Sequence, residues 1–188
     1  DTIARYEPVS MVVNEADREA ARSLVSERVG LVSLPVDDSW ARDCGPNFLL
    51  DAEGRIAGSS FTFNAWGGKY APYDRDDALG ARILNQCGAP VFPSRLTAEG
   101  GGLTVDGEGT LITTESCFLN PNRNPGWSKA DVDAALKRNL GVEKIIWLPG
   151  DVHEVETDGH VDGIAVFVAP GKVLMEVSNN PAHPWYET

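Results

Sequence analysis

Residues 99–114 read Glu-Gly-Gly-Gly-Leu-Thr-Val-Asp-Gly-Glu-Gly-Thr-Leu-Ile-Thr-Thr. Two short runs, Leu103 to Val105 and Thr110 to Thr114, flank the turn Asp106-Gly107-Glu108-Gly109. Strand-prone runs joined by a glycine-containing turn predict a β-hairpin. The carboxylate and three glycines in front of it do not suit a strand interior, and they predict a bend or a close approach of another backbone. Downstream, Ser128 stands three residues before Asp131, the pattern of a helix N-cap, and the helix predicted over 128–139 ends before Gly141. Lys144 to Leu148 then reads as a strand. The unit is hairpin, helix, strand.

The same order recurs on both sides. Asn47 to Asp51 and Ile56 to Phe63 flank Asp51-Ala52-Glu53-Gly54. Residues 74–87 follow with helical character, with Asp74, Asp76 and Asp77 near the positive helix start and Gly88 as a stop. Ile164 to Val168 and Val173 to Glu176 flank Ala169-Pro170-Gly171-Lys172. Further upstream, Ile3 to Val13 reads as a turn leading into a strand. Residues 15–28 read as a helix with Ala20, Ala21, Leu24 and Val25 on one side. The tail from Asn179 to Trp185 is proline-rich and reads as a connector or an exposed end. An ionisable residue opens each hairpin unit, Asp38, then Glu99, then His160, at intervals of 61 positions. In a radially repeated architecture such positions face a common axis, so these three groups are expected to converge. The fold class expected is α/β, in one domain spanning residues 1–188.

Composition narrows the chemistry. The 188 residues are 42% hydrophobic and 23% charged, ordinary for a globular chain with a real core. A net charge of -12 argues against nucleic acid, whose binding is dominated by Lys and Arg, and favours a cationic ligand. No apolar run approaches the roughly 18 residues of a membrane span, and no secretory signal is visible. Cys44, Cys87 and Cys117 are an odd set without a C-x-x-C pair, which suits free thiols in a reducing, cytoplasmic setting.

Three segments carry candidate chemistry. In Thr157-Asp158-Gly159-His160-Val161-Asp162, His160 and Asp162 are two apart and would share a face of an extended segment. A His beside a carboxylate can serve as general acid and base. Glu99 precedes the triple glycine. In Asp37-Asp38-Ser39-Trp40-Ala41-Arg42-Asp43-Cys44-Gly45-Pro46, acids and an indole could hold a flat cation, although Asp43 could equally pair with Arg42 or cap the turn. Carboxylates with one His fit either a metal site or a guanidinium pocket. The single His, with neither H-E-x-x-H nor paired-Cys spacing, disfavours metal.

Five segments, in order, resemble agmatine deiminases. They are residues 38–46 (DSWARDCGP), 63–70 (FNAWGGKY), 99–101 (EGG), 114–125 (TESCFLNPNRNP) and 157–162 (TDGHVD). Broader relatives are the bacterial-type peptidyl-arginine deiminases and other guanidine-modifying enzymes. The resemblance implies part of a five-bladed α/β propeller of the pentein type, about three units. The family's N-terminal stretch and its nucleophile-bearing C-terminal part are not represented.

The resemblance also implies roles. His160 would be the catalytic acid and base, Asp38 and Asp162 the clasps on the guanidinium, and Glu99 the support of His160. Trp40, Asp43, Trp66 and Asp158 would be pocket or supporting residues. It implies no metal or organic cofactor and a small guanidine cation as substrate. The family's cysteine nucleophile sits in a Gly-Gly-Gly-Asn-Ile-His-Cys-like segment, and none of these 188 residues forms one. The 188-residue chain is therefore expected to be inactive alone. Unpaired blade edges would favour a homo-oligomer or completion by another chain. Peptidyl-arginine deimination, and a non-catalytic guanidine-binding or assembly role, are the competing readings.

Overall fold

The computed structural model describes residues 1–182, so the part of the tail from residue 183 onward lies outside the described residues. Its elements run β1 (Val9–Val13), α1 (Arg18–Leu24), β2 (Val29–Ser33), α2 (Ala41–Cys44), β3 (Asn47–Leu50), β4 (Ile56–Thr62), α3 (Ala65–Gly68), α4 (Asp74–Asp77), α5 (Leu79–Gln86) and β5 (Val91–Thr97). They continue with β6 (Thr104–Val105), β7 (Thr110–Thr114), α6 (Glu115–Phe118), α7 (Lys129–Leu140), β8 (Lys144–Leu148), β9 (Ala165–Ala169) and β10 (Lys172–Met175). The fold is mixed α/β.

The strands form small separate sheets of one recurring design. In the sheet β3-β4-β5, β3 and β4 make an antiparallel hairpin and β5 joins parallel to β4. The sheet β6-β7-β8 repeats this, with β8 parallel to β7. A parallel neighbour requires a crossover, which α5 and α7 provide. The pair β1-β2 is parallel, like the second half of such a unit, and β9-β10 is antiparallel, like the first half. This is the hairpin-helix-strand repeat, two full units flanked by two partial ones.

Local sequence explains the unit. Ser128 and Asp131 form a capping box at the start of α7, and Gly141 ends the helix in the left-handed region at φ 70. The inward face of α7, Val132, Ala135 and Leu136, packs with Leu96, Leu111 and Phe118 in the main core. Gly58 of β4 has no room for a side chain, since a Cβ there would lie 2.4 Å from Leu84 of α5. Among the described residues no helix is long and apolar enough to cross a membrane.

Several elements differ from expectation. The chain before β1 is a 3-10 turn, Ile3–Arg5, and Pro8, which has no N–H to pair, lies between turn and strand. The helix expected over 15–28 stops at Leu24, where the Arg22 guanidinium donates to the carbonyls of Val25 and Ser26. Residues 74–87 are two helices, α4 and α5, meeting at Ala78. β2 and β5 are strands that the sequence pattern did not mark. Gly30 interrupts the first and Pro93 the second, and the β4-β5 register shifts between Ser60 and Thr62.

Deleting the Leu136 side chain should cost about 3 kcal/mol, because it empties a fully enclosed site. Ser128→Ala should cost about 1 kcal/mol through loss of the cap. Urea melts of the two variants against the parent check the ranking, and equal effects would contradict this account of the unit.

Candidate functional site

Two 3-10 turns, Gly100–Gly102 and Val161–Gly163, sit at equivalent places just before β6 and β9. Glu99 and His160 each occupy the extended residue that precedes the turn, with ψ 146 and ψ 142. Thr104 and Ala165, which start β6 and β9, are 61 positions apart, as Glu99 and His160 are. The first unit departs from this period. Its strand starts at Asn47, 57 positions before Thr104, so the loop ahead of β3 is longer and Asp38 is not the structural counterpart of Glu99. Asp162 lies inside the 3-10 turn that His160 precedes, so the pair does not share one extended segment.

The turns meet at Gly101. A Cβ on Gly101 would lie 2.4 Å from His160 Nδ1, 2.8 Å from Asp43 Oδ1 and 3.0 Å from Asp162 Oδ2. Asp43, His160 and Asp162 therefore gather over one bare backbone position. Asp43 Oδ1 accepts from the Gly101 N–H at 2.9 Å and lies 3.9 Å from His160 Nδ1. On the other side of the ring, Glu99 Oε2 is 3.6 Å from His160 Nε2. Asp162 is exposed, whereas Glu99 is fully buried and His160 nearly so.

An adjoining wall is built from aromatics and acids. A cavity of about 410 Å³ is lined by Asp38, Trp40, Asp43, Trp66, Tyr70, Glu156 and Thr157. Trp66 Nε1 donates to Asp43 Oδ2 at 3.0 Å, and Trp40 Nε1 donates to Asp38 Oδ2 at 3.1 Å. The Trp66 ring meets those of Trp40 and Tyr70 edge-on, with centroids 5.8 and 5.7 Å away. Trp66 itself has φ 56, and Ala65 φ 52, a backbone region uncommon outside glycine. The Asn64 side chain holds this strained corner by accepting from the Gly67 N–H. The Asp38 loop is anchored from below by buried Asp76, which accepts from the backbone N–H groups of Asp37 and Asp38. Burial pushes the Asp76 carboxyl upward, and nearby Asp37 and Asp38 add to it. His160 opens onto a second hollow, of about 520 Å³, with Gly159 and Gly163. Asp43 stands between His160 and the aromatic cavity.

Asp158, expected as a pocket or supporting residue, is placed in a supporting position and not as part of the cavity wall. Its Oδ2 accepts from Lys69 Nζ at 2.8 Å, Asn122 Nδ2 at 2.9 Å and Arg123 Nη1 at 2.7 Å. Burial works to raise its carboxyl, but these hydrogen bonds and the Arg123 charge outweigh it, and the carboxyl sits below its usual range. Arg123, a residue to which sequence reasoning gave no role, is buried and also donates to Glu99 Oε1 at 2.5 Å. Its signal was the Asn-Pro-Asn-Arg-Asn-Pro run, residues 120–125, where a lone cation sits among turn formers. Tyr70, Glu156 and Asp76 were likewise missed as site residues. Asp76 is buried and the other two are exposed, and the contacts of all three come from segments far apart in the chain.

None of the three thiols lines the aromatic cavity. Cys44 donates to the Trp40 carbonyl at 3.1 Å, and burial, helped by Asp76, pushes its thiol up to about 12. Cys117 is fully buried, and burial followed by the charge of Glu99 holds its thiol well above the ordinary range. Cys87, just past α5, is exposed. Glu99, Cys117 and His160 offer donor atoms within 4.8 Å of one another. A metal there would have to share Glu99 with the Arg123 guanidinium and strip the proton from a buried thiol, so the donor set fits a cation poorly.

The lowered carboxyl of Asp158 has a measurable consequence. Its stabilising effect is fully present above the ordinary carboxylate range and is lost as pH falls through the depressed folded value. Asp158→Asn should therefore destabilise at pH 7 but lose less stability than the parent when acidified to pH 3. Urea melts at the two pH values check this, and identical acid losses would rule it out.

The sequence profile of the Porphyromonas-type peptidyl-arginine deiminases matches residues 1–188. An agmatine deiminase from Pseudomonas fluorescens is 44% identical over 190 residues, covering 98% of this chain and 52% of that protein. A putative agmatine deiminase from Mycoplasma mycoides is 41% identical, covering 100% of this chain and 52% of the other. The solved agmatine deiminase of Enterococcus faecalis superposes with a TM-score of 0.92 at 36% identity, covering 99% of this chain and 52% of that one. The chain thus spans about half the length of these relatives, and it belongs to the Porphyromonas-type peptidyl-arginine deiminase family.

Proposed function

We propose that this chain forms the guanidinium-gripping and proton-transferring part of an agmatine deiminase, which hydrolyses agmatine to N-carbamoylputrescine and ammonia. The observation that carries the reading is the gathering of Asp43, His160 and Asp162 over the bare face of Gly101, beside a cavity walled by acids and indoles. A guanidinium is planar and cationic. It pairs with carboxylates through parallel N–H donors and stacks on aromatic faces, which is what this wall offers. The names of the similar proteins point the same way. The long-range field of a chain with net charge -12 would draw in a dication such as agmatine.

In this reading a cysteine thiolate attacks the guanidinium carbon and forms a tetrahedral adduct. His160, as imidazolium, gives a proton to the departing nitrogen, and ammonia leaves behind a covalent thiouronium. The neutral imidazole then takes a proton from water, which attacks the same carbon. Collapse expels the thiolate, the remaining hydroxyl proton passes to solvent or to the departed ammonia, and N-carbamoylputrescine is released with His160 again protonated. Glu99, 3.6 Å from the ring, supports the charged imidazole. Asp38 and Asp162 hold the guanidinium and keep its carbon facing the nucleophile. The three thiols of this chain are protonated, remote from the cavity or both, so the thiolate is assigned to the part of the family length that these residues do not span. The 188-residue chain by itself should show no turnover.

In a protein of full family length, His160→Ala should cut kcat by about a thousandfold while agmatine still binds, the usual scale for losing a general acid and base. An undiminished rate would end the assignment. Asp162→Asn should weaken both binding and rate, by about tenfold or more, because the guanidinium loses a charged partner. Comparing turnover of agmatine with that of an arginine-containing peptide decides between the small-amine and peptidyl readings. Calorimetry of agmatine on the 188-residue chain tests whether this part binds guanidinium alone.

A further inference from the structure

We propose that Arg123 is a positioning residue that acts on His160 through Glu99. Arg123 reaches neither the aromatic cavity nor the hollow beside His160. Its side chain is completely buried, and so is that of Glu99. Its Nε donates to Glu99 Oε1 at 2.5 Å, its Nη1 to Asp158 Oδ2 at 2.7 Å and its Nη2 to the Thr157 carbonyl at 2.9 Å. The fork therefore joins the loop that carries Glu99 to the loop that carries His160. It does so with every side of the guanidinium engaged, since Nη1 also donates to Asn122 Oδ1.

The geometry at Glu99 gives this brace a chemical consequence. Arg123 takes one carboxylate oxygen and leaves the other, Oε2, 3.6 Å from His160 Nε2. That nitrogen is buried and has no hydrogen-bond partner among the described residues, and the Oε2 carboxylate oxygen stands just beyond hydrogen-bond reach of it. The Cys117 thiol, 3.7 Å from Oε2, is uncharged and competes weakly. A buried carboxylate needs a cation beside it to remain ionised, and removing one member of such a pair leaves an uncompensated charge. Without Arg123, Glu99 loses the cation that holds it, and nothing fixes Oε2 toward the His160 ring. The far end of the same fork fixes the His160 segment, because the Thr157 hydroxyl accepts from the His160 N–H at 3.1 Å.

A titration of the His160 ring by NMR, in protein with labelled histidine, tests this without substrate. The inference rests on the functional reading above only for its catalytic meaning, so failure of the titration and failure of agmatine turnover are told apart. Glu99→Gln should lower the His160 midpoint, the direction expected on losing a close opposite charge. Arg123→Gln should reproduce that fall, and Arg123→Lys, which keeps the charge but not the fork, should shift it less. In the Glu99→Gln background, Arg123→Gln should move the midpoint no further, the signature of two groups acting as one. A midpoint in Arg123→Gln unchanged from the parent, with the fold retained, would overturn the proposal. A further shift of more than about 0.3 unit in the double variant would do so as well. Should Arg123→Gln alone not fold, the double variant removes both buried charges and the second comparison still decides.

Discussion

Gly100, Gly101 and Gly102 lie where three chain segments meet, and none of the three positions has room for a side-chain carbon. A Cβ would fall 2.0 Å from the Arg42 carbonyl oxygen at Gly100, 2.4 Å from the His160 ring at Gly101 and 2.6 Å from the Phe118 ring at Gly102. Because the backbone is bare, the α2 segment of one unit and the His160 turn of another close on the same short stretch. That approach delivers Asp43, Glu99, His160 and Asp162 within reach of one another although they come from three different units. A single methyl group at Gly101 would occupy the space their polar atoms share.

Charge is then arranged by partners rather than by solvent. Asp43 is fixed by an indole N–H and a backbone N–H, Asp76 by two backbone N–H groups beneath the Asp38 loop, and Asp158 by Lys69, Asn122 and Arg123. Each carboxylate is so fixed by the protein itself, and for Asp43 this is the preorganisation that the proposed grip on a rigid planar cation would use. The aromatic rings serve twice. Trp40 and Trp66 wall the cavity and, through their N–H groups, orient the acids beside it. The strained backbone at Ala65 and Trp66 is the conformational cost of presenting one of those indoles.

The same repeat that builds the centre leaves the outer strands of the last hairpin uncovered. Val168 and Leu174 are exposed, whereas Val161 and Ala165 on the inner side are buried. These exposed apolar side chains contrast with the buried ones a few positions away, as expected where a hairpin packs on one face only.

The sequence alone determined the unit and its punctuation. Glycine turns, the Ser128 cap and the alternation of short runs are local signals, readable because hairpins and helix ends depend on residues a few positions apart. It also marked Glu99 and His160 as equivalent through their interval of 61 positions, and in the structure both stand one residue before a tight turn. Proline and glycine hid β5 and β2, whose pairing comes from neighbours and not from their own pattern. Only the tertiary structure decided that Asp38 is out of period, that Asp158 is an internal strut and that Arg123 is the cation behind Glu99. Those facts rest on which side chains are excluded from water and which partners meet them there. Burial and pairing between residues 24 to 35 positions apart leave no local trace in a chain read in order.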